Sequence, residues 1–307
     1  MLHIMLLREQ EQEQEQEREA ELEKEKALKA HALLASSDSP KEMDALQLHR
    51  PLRSLQCHYI SMLEGLHTPL TELPQRFSEL RSLEHLDLSG HRLWNLPSSI
   101  GLLSSLVALR LGGNLLVVLP DSIGDMKDLV ELDLQSNSLQ KLPDTLGQLF
   151  SLQWLSLSRN LLTMLPPSFT RLTSLTHLDV SDNRLKSLPH NIDSLVKLTT
   201  ARLHRNELVE LPESFGNLIA LRSLSLFSNL LQELPISFSH LTSLSTFQFD
   251  LYGFSRKQCE EIVDRLPLQL HSDRRFKSFA PKTRRGLCFC IGRWAPRLSS
   301  DSVQSEL

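Results

Sequence analysis

Four cysteines, Cys57, Cys259, Cys288 and Cys290, and 12 histidines are the residues of this 307-residue chain best suited to nucleophilic or metal chemistry. Their spacing does not support it. No cysteines form a CxxC pair, and Cys288 and Cys290, one residue apart without a companion histidine, make a poor zinc site. The histidines are scattered without ligand spacing. There is no GxSxG, no P-loop, no GxGxxG after a strand and no HExxH. Cys259 could be proposed as a nucleophile, but it stands on the apolar face of a short amphipathic segment, where a small buried thiol is the plainer reading. The expectation is therefore a protein that is not an enzyme, with no cofactor and no metal.

Composition narrows the class further. A net charge of −4 gives no overall drive toward nucleic acid. No stretch approaches the roughly 18 consecutive apolar residues of a membrane-spanning helix. The opening run Met1-Leu2-His3-Ile4-Met5-Leu6-Leu7 is short and followed by acid, so it does not read as a secretory signal. No Asn is followed by x-Ser or x-Thr, and the cysteines form no disulfide framework. A reducing, cytoplasmic setting is expected.

What remains is the chemistry of recognition, and it needs elements to present it. Leucine fills 68 of 307 positions, a single demand repeated many times. Registered on 23 residues, the chain gives seven repeats, starting at Leu83, Leu106, Leu129, Leu152, Leu175, Leu198 and Leu221. Counting from zero, the pattern is LxxLxLxxNxLxxLPxxIxxLxx. Positions 0, 3, 5, 10, 13, 17 and 20 are apolar in every repeat, and position 14 is Pro throughout. Position 8 is Asn in all but the first, which has His91.

Alternation at positions 3 to 5 predicts a short strand with its leucines inward. Asn at position 8 can satisfy backbone groups where the chain turns out of that strand. Pro at position 14 blocks further strand pairing and fixes φ before a short helical turn anchored by positions 17 and 20. One such unit cannot bury enough apolar surface to offset the entropy of ordering it, so the units must stack. The expected fold is an α/β solenoid, a horseshoe with a parallel concave sheet and helical caps.

This pattern resembles the leucine-rich repeat family. The Leu-Pro at positions 13 and 14 is similar to the Ras-group type found in Ras-suppressor, scribble and erbin proteins and their plant relatives. The resemblance covers residues 60 to about 266. It implies a scaffold or adaptor in signalling around small GTPases, phosphatases or polarity complexes, and it does not choose among them.

Around the repeats the expected organisation is as follows. Residues 1–38 form an acidic Glu/Gln-rich tail, partly helical or disordered. Residues 39–59 form an N-terminal cap, with Ser39-Pro40-Lys41-Glu42 as a capping box and Pro51 as the stop. Residues 60–254 carry the repeats, the first degenerate and the last truncated. Residues 255–267 form a capping helix in which Cys259, Ile262, Val263 and Leu266 share one face. Residues 268–307 form a basic tail.

The binding candidates lie on the concave face, where positions 2, 4, 6, 7 and 9 point outward. They are Asp87, Arg110, Glu131, Asp133, Trp154, Arg159, His177, Asp179, Arg202, Arg205 and Phe227. Trp154 stands out as an indole aimed at solvent from mid-sheet, near Arg159 and His177, the composition of an interface hot spot. Its alternative is lateral packing on His177 and Glu131. The face is expected to be mainly acidic in its N-terminal half and basic through Arg202 and Arg205 in its C-terminal half. The expected partner is a protein, bound by a monomer.

The basic tail has two readings. One is a mostly disordered segment with a chance apolar island, Gly286 to Trp294. The other is a membrane-surface tail, with Phe289, Ile291 and Trp294 inserting and Cys288 or Cys290 acylated. That second reading would make the protein a membrane-peripheral adaptor. The last residues, with Ser305 two before Leu307, resemble a PDZ-domain ligand.

Overall fold

A computed structural model describes residues 54–56, 70–73, 77–78, 80–250 and 256–267. Among the described residues, nine three-residue strands form one parallel sheet in chain order. They are β1 (Ser54–Gln56), β2 (His85–Asp87), β3 (Ala108–Arg110), β4 (Glu131–Asp133), β5 (Trp154–Ser156), β6 (His177–Asp179), β7 (Thr200–Arg202), β8 (Ser223–Ser225) and β9 (Thr246–Gln248). From β2 onward each strand is registered on a residue 23 positions later, as Leu86 on Leu109 and Leu109 on Leu132. The middle residue of each of these strands is buried, and its two neighbours face the other way.

The first strand differs from expectation. Fixed registration on 23 residues places a strand near Glu64, inside a degenerate repeat that starts at Ile60. The observed strand is Ser54–Gln56, within the segment assigned to a cap, and Leu55 pairs with Leu86. Leu52, Leu55 and Cys57 carry the same 0, 3, 5 spacing as the strands that follow. The first connection is therefore longer than 23 residues, and a rigid period concealed it. The acidic segment 1–38, the capping box at Ser39 and the basic tail lie outside the described residues.

Behind the sheet, each of the seven regular repeats turns on a short 3-10 helix, which begins directly after its Pro in six of them. Pro97, Pro120, Pro143, Pro166, Pro212 and Pro235 are extended residues at the N-terminal boundary of these turns, with φ between −61° and −70°. The ring sets that φ in advance. Between sheet and turns runs one unbroken core from Leu70 to Leu266, in which most leucines are wholly buried. Toward its C-terminal end the core becomes aromatic: Phe215 stacks on Phe238 at 6.4 Å, and Phe238 meets Phe247 at 5.3 Å. After β9, helix α1 (Arg256–Asp264) adds Ile262 to the same core, and Leu266 just beyond it joins them. Arg265 ties it back to Glu233 at 3.1 Å.

The turns stack closely only where position 18 lacks a side chain. A Cβ on Gly101, Gly124, Gly147 or Gly216 would lie 2.0–2.4 Å from a carbonyl oxygen of the following turn. In the fourth repeat that position is Thr170. The next turn is shortened to Ile192–Ser194, with Asn191 at φ −95° and ψ 35° before it. A cleft of about 330 Å³ opens there, lined by Met164, Pro167, Thr170, Pro189 and His190 among others.

Candidate functional site

The concave face is built from two rows. Position 2 supplies His85, Ala108, Glu131, Trp154, His177, Thr200, Ser223 and Thr246, and position 4 supplies Asp87, Arg110, Asp133, Ser156, Asp179, Arg202, Ser225 and Gln248. Strands about 4.8 Å apart carry both rows along a ladder on the order of 40 Å.

Several of these side chains are spent on their neighbours. Arg110 holds Glu131 through two bonds, Nε to Oε1 at 2.8 Å and Nη2 to Oε2 at 3.2 Å. That bond raises the Arg110 pKa further, with help from the nearby carboxylates of Asp87 and Asp133. Arg202 reaches Asp179 at 3.4 Å, and Arg205 reaches Asp182 at 3.2 Å. The C-terminal half is thus less basic than its arginines suggest, because each is matched by an acid one repeat earlier. Exposed pairs of this kind contribute little to stability and mainly fix side-chain directions.

Asp133 also departs from expectation. It is 8 % exposed, and its Oδ1 accepts the backbone N–H of Gln135 at 3.0 Å. Burial pushes its carboxyl above the usual carboxylate range, against the lowering effect of the Gln135 bonds. It is a turn-former more than a contact. Asp179 plays the same part, accepting Ser181 N–H at 3.0 Å while keeping its other oxygen toward Arg202.

Trp154 is half-buried, between Glu131 and His177 in the ladder, so it is not aimed freely into solvent. His177 is exposed, with its ring Nδ1 2.9 Å from the Thr176 hydroxyl. Phe227 is half-buried and stacks on His204, ring centres 4.4 Å apart.

His204 is a residue that sequence reasoning missed. Ser225 Oγ lies 3.2 Å from its Nδ1, and burial lowers its pKa below the ordinary histidine value. The available signal was its place at position 6, one repeat before Phe227.

Arg159, Asp182 and Arg205 do not lie on strands. They occupy position 7, where the backbone is left-handed in every repeat, from Gly90 (φ 75°) and Gly113 (φ 69°) through Arg159 (φ 55°) to Ser228 (φ 56°). The turn is held by the Asn that follows. Asn160 accepts Leu139 N–H at 3.0 Å and donates to the carbonyls of Leu134 at 2.9 Å and Leu157 at 3.0 Å. One side chain thereby joins its own turn to the repeat before it. Asn114, Asn183, Asn206 and Asn229 repeat the arrangement. Arg159 is exposed and makes no ion pair among the described residues.

Among the described residues no group of His, Cys, Asp and Glu could hold a metal ion, and no helix is long and apolar enough to cross a membrane. Cys288, Cys290, Ser305 and Leu307 lie outside the described residues.

The family model for the leucine-rich repeat region matches residues 22–144 and 137–282. Comparison with curated proteins gives no match. Among solved structures, a leucine-rich repeat protein of Leptospira interrogans is 33 % identical, with a TM-score of 0.62, over 72 % of this chain and 54 % of that one. A plant peptide hormone receptor in complex with RGF2 is 30 % identical, with a TM-score of 0.56, over 69 % of this chain and 34 % of the receptor. The chain therefore spans about half the length of the first and a third of the second.

Proposed function

The chain belongs to the leucine-rich repeat family, and from that premise we propose that it is a non-enzymatic scaffold binding a protein partner through its concave face. One observation carries this reading. The inward strand positions are almost all leucine, while the outward rows differ at every step on a constant backbone. A surface that varies on an invariant frame is where a repeat protein stores specificity. The plant receptor, a neighbour solved with RGF2 bound, supports recognition of a polypeptide by this architecture.

The centre of the contact is the strip Trp154, Arg159 and His177. It combines a part-covered indole, a guanidinium with no ion pair among the described residues and an exposed imidazole. Trp and Arg are the residue types that dominate interface energetics. Small GTPases, phosphatases and polarity proteins in the cytoplasm are the partner classes the Ras-group resemblance implies, and they form part of this proposal.

The test is affinity capture from lysate with three baits: the parent, Trp154→Ala and Arg159→Glu. Proteins held by the parent should be lost from both variants, with the loss corresponding to about 2 kcal/mol or more for Trp154→Ala. Retention of all captured proteins by both variants would move the site elsewhere.

A further inference from the structure

The rim between the Asn and Pro positions carries an apolar patch that the concave reading does not use. Trp94, Leu115, Val117 and Val118 are 55, 52, 40 and 44 % exposed and lie on two adjacent repeats. The Leu115 N–H donates to the Leu93 carbonyl at 2.9 Å, and Gln140 N–H to the Val117 carbonyl at 3.3 Å, so these rim loops run side by side. Contiguous exposed apolar side chains of this size mark an interaction surface. Its flanks are cationic. Arg92 and Lys141 are exposed on either side, and positions 9 to 13 hold no Asp or Glu in the four repeats that start at Leu83, Leu106, Leu129 and Leu152, the exposed Glu72 standing on the loop before them. Farther along, the rim turns acidic at Glu207, Glu210 and Glu233.

We propose that the patch is covered by this chain's own N-terminal segment, residues 1–17. Apolar Met1-Leu2-His3-Ile4-Met5-Leu6-Leu7 would lie on Trp94 and Val117, and the glutamates that follow would lie against Lys141 and Arg92. The composition matches in both halves: seven residues that include six apolar ones, then five glutamates between residues 9 and 17 with no cation among them. The path is also short. The segment leads into Ser54, and β1 pairs with β2, the strand of the repeat that bears Trp94. A linker of about 35 residues has a typical span of roughly 30–35 Å, so the segment reaches the rim at a high effective concentration. The opposite tail fits poorly, since residues 268–307 carry eight basic residues against three acids and would meet Arg92 and Lys141 with like charge. This surface and its occupant are independent of the concave-face reading.

The test uses the full chain. A carbodiimide joins lysine amines directly to carboxylates, and the joined peptides of the monomer fraction are identified by mass spectrometry. Lys141 should be joined to glutamates between Glu9 and Glu17. Val117→Asp should cut that yield at least fivefold and speed cleavage at those glutamates by a Glu-specific protease severalfold. Val209→Asp, at the equivalent position four repeats on and 51 % exposed, should change neither. Both variants alter exposed side chains, and unchanged urea midpoints will show that they fold. Absence of the Lys141 product from the parent monomer, or equal yield in Val117→Asp, overturns the proposal. A product found only in a dimer fraction overturns the assignment to the same chain.

Discussion

The two long sides of this solenoid respond differently to the same change of residue. On the concave side, position 2 passes from Ala108 to Glu131 to Trp154 to His177, and the strand register does not change. On the outer side, Gly147 gives way to Thr170, and the following turn shortens and opens a cleft. The cause is what fixes the spacing. Strand hydrogen bonds and the Asn side chains set the concave spacing, so outward side chains do not enter it. On the outer side the spacing is set by backbone packed against backbone, and one Cβ disturbs it. The concave face can therefore be rewritten without refolding, which is what a recognition surface requires.

The largest expected effect attacks what both sides share. Leu155 is 1 % exposed in mid-array. Leu155→Asp would bury an unpaired carboxylate and should cost more than about 4 kcal/mol, read as loss of most of the urea midpoint. A small shift would mean that the repeats do not share one core.

Asn160→Ala comes next, because it removes two cross-repeat bonds and one within its own turn, and leaves the Leu139 N–H buried without an acceptor. A loss of about 3 kcal/mol is expected from the combined bonds and the orphaned donor. Hydrogen exchange at Leu139 should accelerate more than at strand amides two repeats away.

Gly124→Ala probes the outer side alone. The new methyl would meet Thr145 O at 2.3 Å. A cost of about 1–3 kcal/mol is expected from the forced backbone shift. Thr170→Gly should cost less, since the cleft already separates those turns. Equal effects at the two sites would end the distinction drawn between them.

The smallest effects concern titration. Burial raises the Asp133 pKa, so folding favours its protonated form. That contribution is present at low pH and is lost as pH rises through the folded value. Asp133→Asn should therefore raise stability slightly at pH 7 and have less effect in acid, by comparison of urea midpoints. His204 has the opposite sign of dependence. Its pKa is lowered by burial, so stability falls as pH drops through the ordinary value of 6.5. His204→Phe should flatten that part of the profile.

Legibility followed the physics of each contact. Leucine spacing and the Asn and Pro positions exposed the solenoid, because those residues do the same work in every repeat. The left-handed position 7 was hinted at by Gly90 and Gly113 but hidden by Arg159 and Asp182, whose side chains look like ordinary surface. The Asp179–Arg202 and Asp182–Arg205 pairs follow from the 23-residue offset, but the net charge of each half of the face hides them. The cleft at Thr170 was less accessible, since only the close approach at Gly147 reveals what a threonine there must displace. β1 was concealed by holding the period fixed where the chain does not.

The most direct measurement compares one multiple variant on the concave side with one single variant on the outer side. His85, His177 and Thr246 are exposed outward residues of β2, β6 and β9. The triple variant His85→Ser, His177→Ser, Thr246→Ser should unfold in urea within about 0.5 kcal/mol of the parent, while Gly124→Ala alone loses more. A triple variant less stable than Gly124→Ala would contradict a concave face that varies freely on a fixed frame.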